Sequence, residues 1–177
     1  MISTIFPELK NISFVSKLDF IKRDIVKKFD FIFLLALMIV DNTDNTDYFL
    51  YKYNISNKEK KRIKIIDNFY KEKINSKTFT RDNMNKIFYY HGKEAVLDIL
   101  SFRIIRLSKM DNYLYELIKH YEGSEIPVMP IKAELLMKKY EIIEGRQLGE
   151  KLKAIEEEWV KNNFKILDQE IDNIINS

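Results

Sequence analysis

The chain has 177 residues, enough for one domain, or a small domain with an appended subdomain, and for a sizeable core. Its 46% hydrophobic and 32% charged residues argue against disorder, and the absence of cysteine removes disulfides and thiolate metal sites. A formal net charge of only +3, from 30 basic and 27 acidic residues, permits a nucleic-acid partner without demanding one.

Four glycines and three prolines are few punctuators for this length, and apolar residues recur at three- and four-residue spacings. The expectation is an all-α protein, an irregular multi-helix body followed by a helical tail subdomain. Met1–Glu8 lacks a basic start followed by an apolar stretch, so no signal peptide is expected there. Leu18, Ile21 and Ile25 predict one amphipathic helix over 16–28. Phe31 to Val40 is apolar on every face but far shorter than the roughly 20 residues of a membrane span, so it reads as a central core helix. A cytoplasmic protein without a membrane partner is expected. Asp41 to Asp47 is a run of turn formers and reads as a loop. Ser56-Asn57-Lys58-Glu59 is a capping box that opens a helix with Ile63, Ile66 and Tyr70 inward.

A further helix follows Thr80, with Met84, Ile87 and Phe88 inward, and another spans 93–107 with Arg103 inside its apolar arc. An arginine so placed is expected to bury its stem and meet a carboxylate. Asp111 caps a helix that ends near Gly123. Pro127 and Pro130 mark the expected boundary between a body, 1–125, and a tail, 126–177. The tail reads as a short helix near Glu134, a turn at Gly145, a long helix with Leu148, Leu152, Ile155 and Trp159 on one stripe, and a last helix from Asp168.

In the tail the pattern becomes specific. Ile126-Pro127-Val128-Met129-Pro130-Ile131-Lys132 leads to Leu136-Met137, then to Glu144-Gly145-Arg146-Gln147-Leu148-Gly149, and then to Leu152, Glu158-Trp159 and Phe164. This order resembles the C-terminal half of bacterial CCA-adding tRNA nucleotidyltransferases and their poly(A) polymerase relatives. Ser56-Asn57-Lys58-Glu59 and Gly92-Lys93-Glu94-Ala95 with Asp98 are similar to two helix starts in that family's body. The resemblance implies a chain that grips tRNA while a separate catalytic head, with magnesium and CTP or ATP, adds nucleotides to the 3′ end.

The head's own motifs are not in this sequence. It holds no Gly-Gly pair and no Asp-x-Asp, and Asp41, Asp44 and Asp47 lie three residues apart. No cofactor and no nucleotidyl transfer are therefore expected of this chain alone. The tail also departs from the family pattern, with Ala133 and Glu141 where the family usually has glycine and Leu135 where it usually has aspartate. Should those glycines need positive φ, each replacement would cost about 1 kcal/mol.

Candidate RNA contacts are Lys132, Lys138, Lys139, Gly145, Arg146 and Gly149 in the tail, with Lys58, Lys61 and Arg62 in the densest basic cluster of the body. The simpler reading of each is structural: a helix-packing glycine, or a cation on a solvated face. Lys151 and Lys153 read as solvated face, Trp159 as core, and His91 and His120 as lone histidines without a ligand set. Three functional readings remain open. The first is a tRNA-binding module that needs a catalytic partner chain, and the second is a relict or a helical protein-interaction module. The third is an unrelated enzyme whose site only the fold assembles.

Overall fold

Residues 5–72, 78–107 and 111–177 are described in the computed structural model; Met1–Thr4 of the N-terminal stretch discussed above lie outside them. The described residues form ten α-helices and a 3₁₀ turn, with no strand, so the chain is all-α as its sequence predicts. In chain order these are α1 (Ser13–Ser16), the 3₁₀ turn (Lys17–Phe20), α2 (Arg23–Val26), α3 (Phe31–Ile39), α4 (Asn45–Lys52) and α5 (Asn57–Lys71). There follow α6 (Arg81–Leu107), α7 (Asn112–Gly123), α8 (Ala133–Tyr140), α9 (Arg146–Lys161) and α10 (Asp168–Asn176).

The helix starts follow their caps. The Asp30 carboxylate accepts from the Phe33 amide at 2.9 Å and opens α3, whose Phe33, Ala36, Leu37 and Ile39 are almost wholly buried. Ser56 and Glu59 form the expected capping box on α5, and Asp111 caps α7 through the Leu114 amide. Gly92, at φ 88° and ψ 175°, breaks α6 into two helices, 81–91 and 93–107. Only glycine takes that backbone conformation without strain.

Three sequence expectations change. The helix expected over 16–28 is instead α1, the 3₁₀ turn and α2, because Ile21 is extended (φ −94°, ψ 148°). Ile21 and Ile25 still reach the core; short turns joined by an extended residue serve the same spacing as one helix. The loop expected over 41–47 is cut short by α4. Asn45 lies at 9% exposure, and its side-chain amide donates to the carbonyls of Glu8 (2.8 Å) and Ile39 (2.7 Å), anchoring a helix start where local preference reads turn. Arg103 meets a ring rather than a carboxylate, its guanidinium 5.1 Å from the centre of Phe79.

The buried apolar residues form two clusters. The larger is built from α2 to α7 around α3 and the 93–107 half of α6. The smaller gathers Leu136, Leu148, Ile155 and Ile171 from α8, α9 and α10. Between them stand Tyr89, Trp159 and Phe164, with ring centres 5.1–6.1 Å apart, and the Tyr89 hydroxyl donates to Glu156 at 2.5 Å.

Arg62 ties the larger cluster together. Its guanidinium is bidentate on Asp98 (2.7 and 3.0 Å) and reaches Asp30 (2.5 Å) and Glu94 (3.2 Å), so it links α5, α6 and the cap of α3. Burial works against its charge, but the hydrogen bonds to Asp98 and Asp30 outweigh burial and raise its pKa. Arg62→Ala leaves the nearly buried Asp98 carboxylate unpaired and should cost about 3 kcal/mol in urea denaturation, whereas Arg62→Met with Asp98→Leu should recover most of the loss.

The exposed pairs carry a pH signature. The Lys64 and Lys71 ammonium groups hold Asp47 below its ordinary value against the opposing effect of burial. A lowered carboxylate contributes stability that is present above its unfolded pKa of about 4 and is lost as pH falls through the lower folded value. Asp98, pushed up by burial, works in the opposite sense. Asp47→Asn should therefore lower the melting temperature at about pH 7 and leave it unchanged at about pH 2.

Candidate nucleic-acid interface

Of the tail candidates, Lys132 and Gly149 line one groove; Lys138, Lys139, Gly145 and Arg146 are not among its lining residues. Lys132 precedes α8 in extended conformation, so the strip from Met129 to Glu134 runs alongside the first turns of α9. Together they enclose an open groove of 540 Å³ lined by Met129, Ile131, Lys132, Gly149, Leu152 and Lys153. Gly145, at φ 151° and ψ −163°, adopts a glycine-only turn and leaves the first amides of α9 without a side-chain cap. Those amides carry the positive end of the helix dipole.

Gly149 is the informative residue. A Cβ built there meets nothing within 4 Å, so the glycine does not serve helix packing. Glycine inside a helix costs about 1 kcal/mol relative to alanine. Packing in the fold therefore gives no reason for it.

The tail cations differ in what they are free to do. Lys132 and Lys138 are exposed and make no ion pair among the described residues. Lys139 sits 4.9 Å over the Tyr140 ring and 3.7 Å from Asp172. Arg146, 92% exposed, pairs with Glu150 at 2.7 Å, an arrangement a phosphate could displace at little cost because both partners stand in solvent. Lys153 lines the groove and also stands on a solvated face, as its sequence context reads, 75% exposed and 3.8 Å from Glu157. Its position one turn after Gly149 is the signal that could have placed it there.

The body cluster does not form one surface with these residues. Lys58 and Lys61 are exposed, but Arg62 turns inward onto its three carboxylates and is removed from the candidate set. The α5 helix packs on the 93–107 half of α6 through that arginine, while α9 packs on the 81–91 half through Tyr89 and Trp159.

Other groups considered for chemistry are dispersed. Asp41 accepts from Thr43 and pairs with Lys10, and Asp47 belongs to α4, where it faces α5. No group of three or more His, Asp or Glu side chains poised for a metal occurs among the described residues. His120 stacks on Tyr121 and contacts Arg81, and burial and that arginine push its pKa down, so the imidazole is neutral at pH 7. Trp159 is core, at 3% exposure.

Ala133 and Glu141, two of the three positions at which the tail differs from the pattern it resembles, have different consequences. Ala133 opens α8 with a negative φ, its methyl packed on the smaller cluster, and costs nothing there. Glu141 ends α8 in the left-handed conformation (φ 56°, ψ 27°), the position that favours glycine. Searches against protein-family models, curated proteins and solved structures return no match to this chain. Glu141→Gly should stabilise the tail by about 0.5–1 kcal/mol, read as a higher melting temperature.

Proposed function

We propose that this chain is a non-catalytic RNA-binding module: the tRNA-gripping body and tail of a split or truncated CCA-adding tRNA nucleotidyltransferase. A separate head chain would supply magnesium, CTP or ATP, and the transfer of nucleotides to the tRNA 3′ end. The observation that carries this reading is Gly149, a helical glycine that packs against nothing on the floor of a groove flanked by Lys132 and Lys153. A phosphate backbone in that groove would meet the exposed ammonium groups of Lys132 and Lys153. The uncapped amides of α9 and Arg146, which could exchange Glu150 for phosphate, lie at the helix start beyond the groove's lining. Glu134 and Glu156 also line the groove and would oppose an anion beside them.

A second observation favours a chain that also meets another protein. Phe6, Leu9, Phe31, Leu35, Phe49 and Tyr53 line an apolar hollow of 300 Å³, and Phe31 stands 70% exposed at its edge. Such a surface suits a helical interaction module, with or without RNA.

The test is a salt-titrated binding assay against tRNA lacking its 3′ end, with an unrelated duplex RNA of equal length as control. Preferential binding at micromolar affinity or better, weakening steeply with salt, is the expected result. Lys132→Glu should lower the salt slope by about 1. Gly149→Ala should raise the unfolding free energy by about 0.5–1 kcal/mol while weakening tRNA binding. Equal weak binding to both RNAs would discard this reading in favour of the interaction module or a relict.

A further inference from the structure

Arg103 and Arg106 stand one turn apart at the end of α6, both partly buried, and neither has a carboxylate partner among the described residues. We propose that this arginine pair binds a phosphate group, held between the two guanidinium forks. The proposal stands independently of the RNA reading.

Aromatic rings hold both side chains in place. The Arg103 guanidinium lies over Phe79, 5.1 Å from the ring centre. That of Arg106 lies 5.3 Å from the centre of Phe102 and 5.7 Å from those of Phe14 and Tyr70. Tyr70, Phe79 and Phe102 are buried, and the Tyr70 hydroxyl donates to the Ile99 carbonyl at 2.9 Å, so the platform beneath the cations is fixed. A guanidinium attracted to a ring face keeps its N–H donors for another partner, and its position is set before that partner arrives.

The donors are unused and the charge is unmatched. Arg103 makes no hydrogen bond through its side chain among the described residues, and Arg106 reaches only the Asn42 side-chain oxygen, at 3.5 Å. The carboxylates within reach in sequence or space are committed elsewhere. Asp98 is held by Arg62, Asp111 caps α7, and Asp41 pairs with Lys10 at 2.9 Å. Burial pushes the Arg106 guanidinium below its ordinary pKa, and the charge of Arg103 beside it acts in the same direction. Arg62, also partly buried, meets three carboxylates instead. The C-terminal end of α6 supplies roughly half a negative charge, against two cations. The remainder is a cost that a bound anion removes.

The spacing selects among anions. Residues three apart on a helix are neighbours, with about 5–6 Å between their Cβ atoms, so two forks can converge on one group. A carboxylate is planar and is satisfied by a single fork. A phosphate presents its oxygens in several directions and carries up to two charges, enough to engage both guanidiniums. Chloride offers no directed acceptors to a fork. The phosphate can belong to an RNA backbone or to a small phosphorylated molecule, and the recognising chemistry is the same for both.

The test titrates the full chain with inorganic phosphate at constant ionic strength, followed by the side-chain Nε–H resonances of Arg103 and Arg106 in two-dimensional NMR. Acetate and chloride serve as controls. Saturable shifts of both resonances with phosphate alone are expected. Binding should weaken about tenfold in Arg103→Gln and in Arg106→Lys, the second of which keeps its charge and loses only the fork. Unchanged melting temperatures would show that both variants keep the fold. Adding duplex RNA to the phosphate-saturated chain separates the sources: displacement of the phosphate identifies a backbone site, and persistence identifies a site for a small phosphorylated molecule. No saturable response to phosphate, an equal response to acetate or chloride, or two variants that bind phosphate like the parent would overturn the proposal.

Discussion

The Arg62 guanidinium sets the geometry of the larger half of this molecule. A planar fork with five N–H donors can satisfy several carboxylates at once only if their carriers are held at fixed angles. Here the carriers are the cap of α3, the first turn of the 93–107 helix and its second turn. Hydrophobic burial alone would let these helices slide past one another, since apolar contacts are non-directional. The ion cluster fixes register and leaves beside it a hollow that no apolar side chain fills. Asp98 is expensive to bury, which is why burial raises its pKa even with a bidentate partner. Such an arrangement is a weak source of net stability and a strong source of specificity in how α3, α5 and α6 meet.

The attachment of the smaller cluster depends on polar pairs and on aromatic contacts. The Tyr121 hydroxyl donates to the Asn85 side-chain oxygen at 2.7 Å, and the Asn85 amide donates to Asn163 at 2.5 Å. Asn163 in turn donates to Asp82 at 2.9 Å, so one chain of hydrogen bonds runs from α7 through α6 to the turn after α9. Asn163 and Phe164 both take positive φ there, 56° and 63°. The strain is tolerable for asparagine and uncommon for phenylalanine. It persists because the turn places Phe164 against Trp159 and Tyr89 while the preceding asparagine reaches α6. The groove at the front of α9 is thereby carried on a helix whose far end is anchored to the body.

Much of this was legible in the sequence because the signals were local. The capping box of α5, the apolar run of α3 and the leucine stripe of α9 all involve residues within one or two helical turns, where side-chain chemistry acts on its own backbone. What was not legible depended on residues distant in sequence. The start of α4 is fixed by an Asn45 amide that reaches Glu8 and Ile39, and the break at Ile21 has no local mark. Arg62 looked like part of a basic surface because its neighbours in sequence are lysines; its carboxylates come from residues 30, 94 and 98. Lys153 stands on the solvated face that its neighbouring glutamates suggest, but its place beside a groove comes from the strip from Met129 to Glu134.

The tail glycines separate backbone need from surface need. Gly145 is required by its φ of 151° whatever the chain does, so its presence says nothing about ligands. Glu141 shows the reverse, because the backbone there asks for glycine and the sequence does not supply it. Ala133 has no such requirement, and its methyl contributes to packing, so it counts neither for decay nor for function. Gly149 alone among them has no structural demand behind it: helical backbone, open space where a side chain would stand, and a more stable alternative one methyl away. A sequence drifting without function has no reason to keep the less stable choice at a position where alanine fits. The proposed groove thus turns on a residue that the fold does not need.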